Sequence, residues 1–179
     1  MTKMKICIIG SEKSGKSTIS NILYDENFKH TAVYRPTVGV RILQLDKVVR
    51  NLSEDKDELI DIELWDLSGD LKYESIWQVA MKDCDGIIIV GNFERNDENS
   101  KVENWINNFP KKMKLGPNYC LGLATHVSGV IPSTTENINV LSMPFNRCCY
   151  EQRHSTTIPF FDAFASKVLK KINQTKTSE

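Results

Sequence analysis

The stretch GSEKSGKS, Gly10 to Ser17, lies between the apolar run MKICIIG and the helical pattern STISNILY. It matches G-x-x-x-x-G-K-[ST], with the preceding strand and following helix that the motif requires. A strand that turns abruptly into a helix leaves successive backbone N–H groups pointing inward, where the helix dipole also favours negative charge. Gly10, Ser11, Glu12, Lys13, Ser14 and Gly15 therefore form a candidate cradle for a polyphosphate. Gly10 and Gly15 permit backbone angles that a Cβ would block. Lys16 reaches the terminal phosphates, Ser17 offers a hydroxyl to Mg²⁺, and Thr18 adds a contact in the first helical turn. A chance Gly/Ser/Lys turn is the competing reading, and the flanking elements argue against it.

The remainder of the chain reads as alternating strands and helices. Lys16 to Tyr24 is a helix with Ile19, Ile22 and Leu23 on its apolar face. Val40 to Val49 reads as a strand, and in LIDIELWD the residues Ile60, Ile62 and Leu64 share one face with period two. A helix with Ile76, Trp77, Ala80 and Met81 on one side precedes the buried strand GIIIVGN. Val102, Trp105, Ile106 and Phe109 mark a helix stopped by Pro110, and Tyr119 to Ala124 is a further strand. Residues 126–137 show no helical period. Ile138 to Met143 is expected as the sixth strand, followed by a loop with Cys148 and Cys149 and a helix carrying Phe161, Phe164, Val168 and Ile172.

This order predicts an α/β fold, a six-stranded, mostly parallel sheet flanked by helices, with ligands at the C-terminal ends of the strands. At 179 residues the chain suits a single domain, placed at 1–173, with a flexible tail over 174–179. Its 23 basic and 23 acidic side chains cancel, which argues against a nucleic-acid surface. No apolar run reaches the length of a membrane span, and neither a signal peptide, a myristoylation glycine nor a prenylation cysteine is present, so no direct membrane anchor is expected. The five cysteines lack C-x-x-C spacing and read as reduced thiols of a cytoplasmic protein.

A phosphate loop alone does not separate a GTPase from a small-molecule kinase. WDLSGD supplies Asp66 at a strand end, where it can hold the Mg²⁺ shell, and Gly69, whose N–H can meet a γ-phosphate. Thr37 in YRPTVG is placed to ligate the metal when a third phosphate is present. These residues read as two loops ordered by the γ-phosphate and released without it.

GSEKSGKS, RPTVG and WDLSGD, in that order, resemble the first three motifs of Ras-like small GTPases over about residues 3–173. More narrowly, YRPTVGVRIL, IELWDLSGDLKYESIW and MKDCDGIIIV are similar to the Rab-like GTPase subunits of the intraflagellar transport B complex. The resemblance implies GTP/GDP and Mg²⁺ as ligands, coiled-coil subunits of that complex as partners, and a place in the cilium or flagellum and at its base.

Departures from the family pattern bear on activity. Asp70 stands where hydrolysing members carry Gln; a carboxylate only accepts hydrogen bonds and adds negative charge beside the γ-phosphate, so hydrolysis should be weak. Glu12 and Lys13 stand where small residues are usual and would obstruct an arginine supplied by a partner. Thr125, His126, Val127 and Ser128 align with N-K-x-D; Ser128 in place of Asp forfeits hydrogen bonds worth about 1.5–3 kcal/mol. His126 either stacks on the base or is an ordinary histidine. The last base-contact loop falls near Ser142, and the helix between strands five and six is expected to be missing. A binding subunit that holds nucleotide and cycles slowly is the preferred reading, its face formed by the 67–75 loop, Thr37 and Trp77, although core packing is the stronger expectation for Trp77. The alternatives are a partner-stimulated GTPase switch in vesicle or cytoplasmic trafficking and a P-loop protein with relaxed base specificity. A metabolite kinase is disfavoured because no arginine-rich lid follows the core.

Overall fold

The computed structural model describes residues 1–30, 33–126 and 137–176. Its strands are β1 (Thr2–Ile9), β2 (Val40–Asn51), β3 (Lys56–Leu67), β4 (Gly86–Gly91), β5 (Cys120–His126), β6 (Ile138–Val140) and β7 (Met143–Cys149). The helices are α1 (Lys16–Tyr24), α2 (Glu74–Met81), α3 (Glu98–Asn108) and α4 (Thr157–Lys176). The sheet runs β2-β3-β1-β4-β5-β7-β6. Its five central strands are parallel, while β2 pairs antiparallel with β3 and β6 with β7.

Alternation along each strand divides the core between the two faces of the sheet. Ile6 and Ile8 of β1 and Ile60, Ile62 and Leu64 of β3 point to the face covered by α1 and α4, with Ile19, Ile22, Phe161 and Val168. Cys7 and Ile9 point to the other face, against Trp77, Met81, Trp105 and Ile106 of α2 and α3. Both faces are thus sealed, and function is left to the loops at the C-terminal rim. Among the described residues no helix is long and apolar enough to cross a membrane.

The expected six strands become seven among the described residues. The run Ile138–Met143 is broken after Val140, where Leu141 and Ser142 take φ of 49° and 66° and turn the chain into β7. Two successive left-handed residues match the twist of a two-residue hairpin. Such turns normally use Asn-Gly, so Leu-Ser gave no signal. Cys148 and Cys149, expected in a loop, end β7 and are fully buried, opposite Thr125 and His126 of β5. The connection between β5 and β6, on which the missing helix is predicted, lies outside the described residues for all but Asn137.

Two smaller differences concern helices. Ile76 is 39% exposed, and α2 buries Trp77, Ala80 and Met81 instead. The last helix continues to Lys176, past the expected end at Asn173; Thr175 Oγ1 donates to the Lys171 carbonyl and Lys176 Nζ to Thr2 Oγ1 at 3.3 Å.

Phe161 is fully buried between α4 and the sheet. Phe161→Ala is expected to destabilise the chain by about 3–5 kcal/mol, read as a lower midpoint in urea with an unchanged slope.

Candidate functional site

The loop between β1 and α1 is held open from behind. Gly15 caps α1 with φ 93°, a left-handed conformation that suits glycine, and its carbonyl accepts from Ile19 N–H at 3.0 Å. A Cβ there would strike the Tyr150 hydroxyl. Thr125 Oγ1, at the end of β5, donates to the Ser14 carbonyl at 2.8 Å, with the Gly91 carbonyl 3.3 Å away. Glu98, fully buried in the first turn of α3, accepts from Ser11 Oγ at 2.6 Å and from the Asn92 N–H at 3.1 Å. Lys16 lies buried beneath the loop, its Nζ donating to the Ser11 carbonyl at 2.7 Å. Burial lowers its pKa to about 8 despite the carboxylates of Asp66, Glu98 and Glu12.

The residues expected to hold a metal do meet. Ser17 Oγ is 2.7 Å from Thr37 Oγ1, and Thr37 Oγ1 donates to Asp66 Oδ2 at 3.3 Å. Asp66 is fully buried; burial raises its pKa, opposed by Ser17, Arg41, Lys16 and Thr37. Its Oδ1 is buried without a hydrogen-bond partner, an acceptor left over for a cation or its water. Two hydroxyls and one carboxylate are hard oxygen donors that fit Mg²⁺. Among the described residues no trio of His, Cys, Asp or Glu gathers into a metal cluster.

In front of these groups opens a cavity of about 1110 Å³. Of the expected binding residues, Glu12, Lys13, Gly15, Lys16, Ser17, Thr18, Thr37 and Gly69 line it, while Gly10, Ser11 and Ser14 do not. Phe28, His30, Tyr34 and Tyr150 are its aromatic lining residues, with His30 and Tyr150 ring centroids 4.8 Å apart. Gly69 lies flat against the loop: a Cβ there would come within 2.6 Å of Glu12 N and the Gly10 carbonyl oxygen. Trp77 is buried, packed at a tilt against Trp105 with ring centroids 4.4 Å apart, and its Nε1 donates to the Ser68 carbonyl at 2.8 Å. Core packing is therefore its role, and it anchors the turn that presents Gly69.

Other expected positions fall elsewhere. Asp70 accepts from the Lys72 backbone N–H at 3.1 Å and pairs with Lys72 Nζ at 2.6 Å, and these bonds hold its pKa low. His126 is buried at the end of β5, 3.7 Å from Glu94 Oε1 and 3.4 Å from Arg147 Nη1, so it packs inside rather than facing the cavity. Burial lowers its pKa. Ser142 sits in the hairpin turn before β7, at the sheet edge opposite the phosphate loop, because β7 runs parallel to β5 from there toward the rim. Residue 150, after β7, is the position that reaches the cavity. Ser128 lies outside the described residues.

The sequence reading missed Arg41, Glu98, Arg95 and Tyr150. Arg95 donates from Nη1 to the Glu12 carbonyl at 2.9 Å, at the place where a partner's arginine was expected to be obstructed. An acid in the first turn of α3 was visible at Glu98, but its burial against Ser11 was not.

Comparison with known proteins identifies the family. Residues 5–126 match the family described as Ras of Complex, Roc, domain of DAPkinase. The chain is 32% identical over 185 residues to the Intraflagellar transport protein 22 homolog of Danio rerio, covering 100% of this chain and 97% of that one. It is 35% identical over 129 residues to the Homo sapiens homolog of the same name, covering 72% and 68%. The T. brucei IFT22/74/81 GTP-bound crystal structure shares the fold, with a TM-score of 0.76 at 22% identity and 100% of both chains covered. With a Roc-type, Ras-like domain over most of its length and a relative aligned along all of it, this chain belongs to the intraflagellar transport protein 22 family.

Proposed function

We propose that this chain binds a guanine nucleotide with Mg²⁺ and serves as a nucleotide-dependent subunit of a ciliary intraflagellar transport assembly, hydrolysing its ligand slowly. The observation that carries the reading is the meeting of Ser17, Thr37 and Asp66 beside the Lys16 loop. Lys16 and the loop N–H groups hold the phosphates. Ser17, Thr37 and Asp66 hold the metal, which neutralises phosphate charge when bound. Slow turnover follows from Asp70, whose carboxylate caps the turn at Leu71–Tyr73 and is engaged by Lys72.

The base end is built for stacking more than for reading. Phe28, His30 and Tyr150 offer aromatic faces, which accept any base, while His126 is turned inward. The partner face is the rim itself. Val38, Ile42, Leu71 and Val79 are between 51% and 75% exposed on the segments that follow Thr37 and Gly69. Apolar exposure of that kind marks an interaction surface. The T. brucei structure is an IFT22/74/81 complex, and the coiled-coil subunits that the sequence resemblance implies suit this face.

Freshly purified protein is expected to release a guanine nucleotide on denaturation, identified by chromatography. Lys16→Ala and Ser17→Asn should lose nucleotide and coiled-coil capture together; capture that survives without nucleotide would leave a purely structural subunit. Asp70→Gln should raise single-turnover phosphate release about tenfold, and an unchanged rate would place the block elsewhere.

Affinity should also follow the Lys16 proton. Phosphate binding needs the charged form, so nucleotide affinity falls as pH rises through about 8, by about tenfold between pH 7.5 and 9. The sign for stability is opposite. Between about 8 and the ordinary value of 10.5 the unfolded lysine keeps a proton that the folded one has lost, so the nucleotide-free fold gains stability with pH there. Fluorescent-nucleotide titration and urea unfolding across this range check both.

A further inference from the structure

Arg41 stands at the metal end of the site, where the motif reading assigned no residue. On β2 it lies directly across the antiparallel register from Asp66 on β3. Its Nη2 is 3.0 Å from Asp66 Oδ2 and 3.3 Å from the Ser17 carbonyl, while Nη1 donates to Asn21 Oδ1 at 2.8 Å. One guanidinium thus joins β2, β3 and α1 around the same carboxylate that Thr37 touches. Arg41 also lines the cavity.

The charge arrangement gives this contact its meaning. Asp66 is fully buried, whereas the Arg41 side chain is 37% exposed. A buried carboxylate is strongly unfavourable without a counter-charge, and a planar fork is well suited to supply one. Arg41 takes Oδ2 and leaves Oδ1 unpartnered. One carboxylate oxygen is therefore matched by the guanidinium, while the other is left free to accept.

We propose that Arg41 is a resident cation that positions Asp66 and Thr37, so that nucleotide binding by this chain depends only weakly on Mg²⁺. The inference rests on the nucleotide reading above. Arg41 is a positioning residue here: it acts on phosphates and metal through Asp66 and the Ser17 end of α1. The carboxylate it has already neutralised attracts a second cation less strongly. Thr37 also has hydrogen bonds of its own to Ser17 and Asp66, so removing a metal should release less of the loop.

The test is the affinity for a fluorescent guanine nucleotide in millimolar Mg²⁺ and in excess EDTA. The wild-type chain is expected to lose less than tenfold in EDTA; a larger loss overturns the proposal, whether or not any variant folds. Arg41→Gln should widen the ratio between the two media by at least tenfold, and a ratio equal to wild type also overturns it. Arg41→Lys, which keeps the charge, should stay within about threefold of the wild-type ratio; a ratio like that of Arg41→Gln assigns the effect to something other than the cation and overturns it too. Absence of binding in both media overturns the nucleotide reading and this inference together, which separates that failure from the others.

Discussion

A turn that points its backbone N–H groups at a ligand cannot use them to hold itself, so its shape has to be imposed from behind. Here the carbonyls and hydroxyls of the Gly10–Gly15 turn supply the grip. Thr125 takes the Ser14 carbonyl, Glu98 takes the Ser11 hydroxyl, and Lys16 takes the Ser11 carbonyl. Each of these residues belongs to a different element, β5, α3 and α1. The order of the parallel strands is therefore a condition for the cradle as well as for the core. Shifting β5 by one residue would bring the wrong face to the turn, since alternate residues point to opposite sides of the sheet.

The two ends of the cavity rest on different physics. At the phosphate end, buried charge is matched closely: Lys16 sits among Asp66, Glu98 and Glu12, and Asp66 sits between Arg41 and the hydroxyls. At the other end the wall is Phe28, His30 and Tyr150, with polar partners lying deeper. Burial raises the Tyr150 phenol to about 12, and the Thr125 and Thr18 hydroxyls share its hydrogen bonding, so it remains a neutral group against Gly15. A site of this kind grips by charge and packs by shape, with few groups left to distinguish one base edge from another.

Much of this was legible in the chain itself, for identifiable reasons. The phosphate turn announces itself through Gly and Lys at fixed spacing, and strands buried on both faces, such as GIIIVG, are hard to mistake. Thr37 and Asp66 could be singled out because each lies beside or near the end of an extended run, and the structure brings their side chains within hydrogen-bond distance. The hairpin at Leu141–Ser142 was hidden because neither residue favours a left-handed conformation, and the wrong strand end then carried Ser142 to the wrong side of the sheet. Arg41, Glu98 and Tyr150 were hidden for another reason. Their roles come from partners 25, 87 and 25 positions away, Asp66, Ser11 and Thr125, which no local pattern encodes.

Among the described residues β2 and β6 are the outermost strands of the sheet, and they differ in kind. Among the described residues no strand pairs with the far side of β2, twelve residues long, which makes it an edge that another chain's strand could adopt. Lys47 and Arg50 are spaced along it and held in ion pairs with Glu26, Asp162, Asp55 and Asp57. Fixed charges on that border discourage unwanted self-stacking, while β6, only three residues long, is too short to template a neighbour. Among the described residues the two borders are thus guarded by unlike devices, electrostatic on one side and simple brevity on the other.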